Sequence, residues 1–131
     1  MREVKFRAWV KDYALMADVN FLNIDYKEIV VMINENDYEF NCGEYELMQY
    51  TGLKDSFKND IYEGDILRVT FSWTGDERYG VIEWDNENNA SYVFCEKGTN
   101  AMAISQIFDE DGDYIKEVIG NIYEHPHLLG D

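Results

Sequence analysis

The run "ILRVTFSW", residues 66–73, sets Leu67, Val69, Phe71 and Trp73 on one side and Ile66, Arg68, Thr70 and Ser72 on the other. Strand side chains point alternately to opposite faces, so a period of two with one apolar side predicts a half-buried β-strand. Directly before it stands Glu63-Gly64-Asp65. Glycine gives backbone freedom and aspartate accepts nearby N–H groups, so the trio reads as a turn into that strand. Glu63 and Asp65 could also be read as a catalytic carboxylate pair. The neighbouring pattern favours the turn, and with it a protein that is not an enzyme.

The same punctuation recurs downstream. "TGDE" and "NENN" separate "RYGVIEWD" from the strand before it and from "SYVFCE" after it, and "DEDGD" precedes "YIKEVIGNIYE". Gly80 and Gly120 interrupt their runs as a bulge or a corner would. Short strands at about ten-residue spacing predict a mainly β chain with a small antiparallel SH3-like barrel over roughly 60–125. The division expected is an N-terminal β-rich lobe, 1–47, and a barrel domain, 48–131, packed as one unit without a low-complexity linker. Within the lobe, "EVKFRAWV" reads as a strand and "KDYALMADV" turns back around Asp12. Residues 28–33 are rich in Val and Ile and read as another strand, followed by turn chemistry in "NENDYEFNCGEYEL". One short helix could fit within 13–33. Ten tyrosines in an aromatic content of 15% suit pleated, half-buried surfaces. With 131 residues the chain can bury enough surface to fold without a disulfide or metal staple.

Charge narrows the partners. The chain carries −16, and residues 1–11 hold Arg2, Lys5, Arg7 and Lys11 against Glu3, which leaves −19 on the remainder. Such a field repels phosphate backbones and anionic lipid and attracts basic proteins. It also keeps an aromatic-rich domain soluble, which is a sufficient reason for it. The N-terminus alternates charge where a secretory leader places an apolar core, and the longest aliphatic run, residues 29–33, is too short to span a membrane. Cys42 and Cys95 are therefore expected as reduced cytosolic thiols.

Three blocks, "REVKFRAW", "LMQYTGLKD…IYEGDILRV" and "EVIGNIYEHPHLL", occur in this order from end to end of the chain. Together they resemble the YopX family of phage and prophage proteins. The resemblance implies a phage-encoded protein made in a bacterial cytoplasm, and it implies no activity. One departure stands out. Between the central strands the family commonly reads Lys-Asn-Gly, whereas this chain has Ser56-Phe57-Lys58-Asn59. Losing that glycine removes an easy positive-φ position, so the loop is expected to be longer or differently shaped.

Few motifs carry chemistry. A calcium loop counted from Asp109 puts Tyr114 at position 6 and Gly120 at position 12, and one counted from Asp85 puts Ala90 at position 6. Both fail where a glycine turn is needed and read as hairpin turns. Glu124, His125 and His127 are potential metal ligands, but a proline separates the histidines near the chain end, and a capping tail is the simpler reading. Ser56, Ser72, Ser91 and Ser105 lack a nucleophile-elbow context, and no phosphate or dinucleotide fingerprint is present, so no cofactor is expected. The remaining candidate is an acidic surface on the turns: Asp76, Glu77, Asp85, Glu87, Asp109, Glu110, Asp111 and Asp113.

The expectation is thus an accessory protein acting through protein contacts, with a basic nucleic-acid-binding protein as partner and the acids as a decoy for phosphates. Self-association through aromatic-rich strands is a further expectation, without membrane contact. The alternatives are a metal-dependent enzyme using Glu63, Asp65 or the acids at 109–113, and direct nucleic-acid binding through Lys5, Arg7 and Trp9. The latter is opposed by the charge balance.

Overall fold

A computed structural model describes residues 4–86, 91–96, 101–108 and 112–129. It is mainly β and divides into two units, residues 1–50 and 51–131.

In the first unit, β1 (Phe6–Val10), β2 (Leu15–Asn23), β3 (Glu28–Ile33) and β4 (Asn36–Phe40) are joined by short turns. They form an antiparallel sheet in the order β4-β3-β2-β1-β5, where β5 (Tyr45–Lys54) continues into the second unit. The expected strand at 28–33 is β3, and no helix forms within 13–33 because Leu15, Ala17 and Val19 alternate as a strand against β1 and β3. The core is Ala8, Val10, Ile29, Val31 and Phe40, with Ala17, Val19, Leu22, Ile33 and Tyr45 packed on it.

The second unit contains β6 (Asp60–Tyr62), β7 (Asp65–Phe71), β8 (Glu77–Asp85), β9 (Ser91–Glu96), β10 (Ala101–Ala103), a single helical turn α1 (Ile104–Ile107), and β11 (Tyr114–Asn121). Five of these strands form a sheet in the order β10-β9-β8-β7-β11. The expected SH3-like barrel is therefore not closed, and β10 and β11 stand at opposite edges of an open sheet. β10 is only three residues long and gives way to α1, which turns Ile104 and Ile107 into the core beside Ile61, Leu67, Val69, Ile82, Tyr92 and Phe94.

The two glycines expected to bend strands behave differently. The β7–β11 register shifts between Val118 and Gly120, so Gly120 marks a bulge. A Cβ there would lie 2.6 Å from His125 Nδ1, so the missing side chain is what admits the imidazole. At Gly80 the register runs on undisturbed, Leu67 opposite Gly80 and Ile66 opposite Val81. That glycine is needed for close approach, since a Cβ would meet the Cys95 carbonyl at 2.8 Å and the Phe94 ring at 2.9 Å.

Candidate functional site

The Glu63-Gly64-Asp65 stretch forms a turn. Gly64 has φ +84°, its N–H donates to the Ile82 carbonyl at 2.8 Å, and its own carbonyl accepts from Ile122 N–H at 2.9 Å. Asp65 is 1% exposed and its carboxylate accepts the Tyr62 N–H at 2.7 Å, which closes the turn. That carboxylate serves the backbone of its own turn.

A second buried carboxylate, Asp55, stands in the loop between the central strands. Asp55 accepts N–H groups from Phe57 (2.9 Å) and Asn59 (2.8 Å) on one oxygen. The other oxygen takes the Asn59 side-chain amide (3.1 Å) and Val118 N–H (2.9 Å). Burial pushes the Asp55 carboxyl up, but these donors outweigh it and hold the group below its usual range. Ser56 adds two bonds to Lys116: its N–H donates to the Lys116 carbonyl at 2.8 Å, and its Oγ accepts the Lys116 N–H at 2.9 Å. The loop 55–59 thus covers the free edge of β11. Lys58 takes φ +71° there, so the positive-φ position survives without its glycine. An Asp with Asn four residues on is the signal that could have found this cradle.

An exposed aromatic group of the second unit gathers where β7 ends. Gly75 (φ +79°) donates to the Phe71 carbonyl at 2.7 Å and folds the turn back. Trp73 is carried out of the strand by that turn and stacks on Phe71, with centroids 5.1 Å apart and planes 8° apart. Tyr114 meets both rings edge-on at 5.4 and 5.5 Å, and the Arg78 guanidinium lies 5.5 Å over Phe71. Trp73 remains 59% exposed.

Two acidic residues bond to the strand end that carries this cluster. Phe71 N–H donates to the Asp76 carbonyl at 2.8 Å and Ser72 N–H to the Asp113 carbonyl at 2.9 Å. Asp76 and Asp113 therefore stand on the two sides of β7, about 10 Å apart by strand spacing. Glu77 sits beside Asp76 but is engaged by Arg68 at 3.5 Å, which also pairs with Glu117 across the sheet. Asp85 lies at the opposite end of the nine-residue β8, about 27 Å away along the strand. There Trp84 packs edge-on against Tyr92 at 4.9 Å and donates to Asn86. So the described acids divide between two ends of one strand. Glu87, Asp109, Glu110 and Asp111 lie outside the described residues, and so does the core of the calcium reading at 109–113.

Other sequence candidates are engaged in the fold. His125 Nδ1 accepts Asn121 N–H at 3.3 Å, and Asn121 Oδ1 accepts the N–H groups of Tyr123 and Glu124. The segment 121–125 is thereby a turn organised by Asn121. The Lys5 ammonium lies 4.6 Å over the Tyr50 ring, and Arg7 and Trp9 are half-buried in β1. Cys42 and Cys95 are free thiols; burial, then the adjacent Glu83 and Asp85, push Cys95 up to about 11. Among the described residues, no group of three or more His, Cys, Asp or Glu is placed to hold a metal ion. No helix among them is long and apolar enough to cross a membrane.

With this geometry in place, comparison with known proteins gives one consistent result. A family model described as YopX protein matches residues 5–130. The chain is similar to the crystal structure of protein EF1440 from Enterococcus faecalis, with a TM-score of 0.63 and 26% identity, covering 98% of this chain and 99% of that one. It is also similar to the X-ray structure of protein yopX from Bacillus subtilis, with a TM-score of 0.63 and 15% identity over 98% of both chains. No curated protein matches.

Proposed function

The chain belongs to the YopX family, and from that premise we propose that it is a phage or prophage accessory protein, without catalytic activity, that grips a basic protein partner. It would act in the cytoplasm of the bacterial host. The contact is the end of the second sheet, where Trp73 and Tyr114 offer aromatic faces between Asp76 and Asp113.

One observation carries this reading: an exposed tryptophan, stacked on Phe71, stands at a sheet end where Asp76 and Asp113 bond to the two sides of the chain after β7, in a chain of charge −16. The division of labour follows from physics. The net field accelerates encounter with a cationic surface, and its effect falls with salt. The indole then holds an arginine or lysine through cation–π attraction and desolvation, as aromatic anchors at interfaces do. In the sharper form, the partner is a nucleic-acid-binding protein whose phosphate sites take Asp76 and Asp113.

An arginine-rich peptide tests this directly through tryptophan fluorescence and titration at two ionic strengths. Binding should weaken with salt, and Trp73→Ala should weaken it about tenfold or more. Asp76→Asn with Asp113→Asn should reduce the salt dependence. Unchanged binding by Trp73→Ala, or a peptide that does not bind at low salt, defeats the reading.

A further inference from the structure

The edges of the two sheets are finished differently. β11 is covered on its outer side by the loop 55–59, and β10 is three residues long and gives way to α1. β4, the first strand of its sheet, has five residues, of which only Phe40 is buried. Its open hydrogen-bonding groups follow from the hairpin. Ile33 stands opposite Asn36 across the two-residue turn Asn34-Glu35. In such a hairpin the closing pair exchanges both of its bonds and the next pair neither, in alternation. Asn36, Tyr38 and Phe40 therefore turn their N–H and C=O groups towards β3. Asp37 and Glu39 turn theirs outward, where no strand lies and, among the described residues, no group bonds to them.

Strand alternation sorts the side chains of that edge. Tyr38 lies on the core side of the sheet, opposite Val31, and with Tyr13, Leu15 and Ile33 it walls a pocket of about 150 Å³. Tyr13 and Tyr38 are 63% and 39% exposed, so this apolar surface reaches the edge. Asp37 and Glu39 project from the other face, opposite Met32 and Val30. Neither is paired with a cation among the described residues. The edge is thus acidic on one face, apolar on the other, and unpaired along its backbone.

We propose that β4 takes up an extended segment of a partner protein in which basic and apolar residues alternate, added as a further strand. It runs antiparallel, as β1 to β4 pair with their neighbours. Residues directly opposite one another share a face, so those facing Asp37 and Glu39 are the basic ones, and the residue between them lies against Tyr38. A second copy of β4 does not fit. Pairing it about a two-fold axis sets acid against acid, which is destabilising. The carboxylates that exclude a like strand are the ones that select a cationic one. This contact belongs to the first unit and is independent of the sheet end at Trp73.

The probe is the end-capped peptide Lys-Val-Arg-Phe-Arg-Val-Lys, titrated at low salt into the isotope-labelled full chain and followed by NMR. Amide signals of β4 and β3 should shift. Asp37→Asn with Glu39→Asn should weaken binding about threefold or more, since two opposite-charge pairs are lost. Both side chains are exposed, so that variant should melt as the wild type does. A peptide of the same composition with its cations in one block should bind more weakly. The decisive arm methylates main-chain nitrogens of the peptide. In an antiparallel pairing the N–H groups of the basic residues face β4, so methylating those should abolish binding; methylating those of the apolar residues, which point away, should leave it. Trp73→Ala should leave the β4 shifts as they are, so failure here and failure of the sheet-end contact are read separately. The proposal is overturned if the alternating peptide leaves β4 unshifted, if the block peptide shifts it as strongly, or if methylating the basic residues leaves binding unchanged.

Discussion

The two units are both antiparallel sheet, yet they fix their turns by different means. In the first, ordinary side chains occupy most of the left-handed positions: Ala14 (φ +48°), Lys27 (+56°), Asn34 (+51°) and Glu35 (+70°), beside one glycine, Gly43 (+95°). In the second, among the described residues, glycines do so at 52, 64, 75 and 112, with Lys58 the exception. The second unit also sinks Asp55, Asp65 and Asn121 below its surface, each accepting main-chain N–H groups. The first unit uses Asn23 and Glu44 similarly, but from half-buried positions. A buried carboxylate is tolerated only when its lone pairs are filled, so in the second unit the turns and the core depend on each other. In the first, the turns are local and can change without the core.

The largest expected effect tests that dependence. Asp55→Ala leaves the N–H groups of Phe57, Asn59 and Val118 without their acceptor and should cost about 2–4 kcal/mol. Native-state hydrogen exchange should show second-unit amides losing protection while those of β1–β4 keep theirs. Equal loss in both would break the contrast drawn between the units. The pH dependence has a definite sign. The native Asp55 carboxyl titrates below its unfolded value near 3.8. Its stabilisation is therefore present above that value and fades as pH falls through the lower native one. Asp55→Ala should remove that part of the acid sensitivity.

Gly80→Ala comes next, at about 1–3 kcal/mol by over-packing. The added methyl would meet the Cys95 carbonyl at 2.8 Å, and a backbone atom in the middle of a sheet cannot step aside. Denaturant unfolding of the second unit checks it. A cost near zero would mean that β8 and β9 slide apart freely and that the core there is less closely tied to its strands than argued.

Much of this was legible in the sequence. The period of two gave β7, the Gly–Asp pair gave its turn, and the Gly120 bulge followed from a glycine inside an apolar run. The open sheet was not legible, because α1 is a single turn and Ile104 and Ile107 three apart are too few to show helical periodicity. Asp55 stands among polar residues, Lys54, Ser56, Lys58 and Asn59, and nothing next to it marks it as buried. Its burial depends on Val118, 63 residues away, and no local pattern encodes that partner. The aromatic cluster was half legible: the period of two puts Phe71 and Trp73 together although β7 ends at Phe71, while Tyr114 arrives only through the β7–β11 register. The acids were found as residues but not as a surface, since strand length alone separates Asp76 from Asp85.

The smallest effect sharpens the comparison from both sides. In the first unit, β3 and β4 are joined by two residues, Asn34 and Glu35, both at positive φ. A two-residue hairpin of this kind favours Asn-Gly, because only glycine occupies the second position without a Cβ clash. Glu35→Gly should therefore stabilise the first unit by about 0.5–1 kcal/mol, the relieved strain being partly offset by a more flexible unfolded chain. Lys58→Gly makes the same change in the second unit and should gain no more than that. There the Asp55 carboxylate already holds the loop through its bonds to Phe57 and Asn59, so glycine relieves strain but adds no contact. Thermal melts of the two variants and of the pair decide it. Turns that belong to separate cores should give gains that add. If Glu35→Gly destabilises instead, then the first unit's turns are not local, and the Glu35 side chain has a role in the fold.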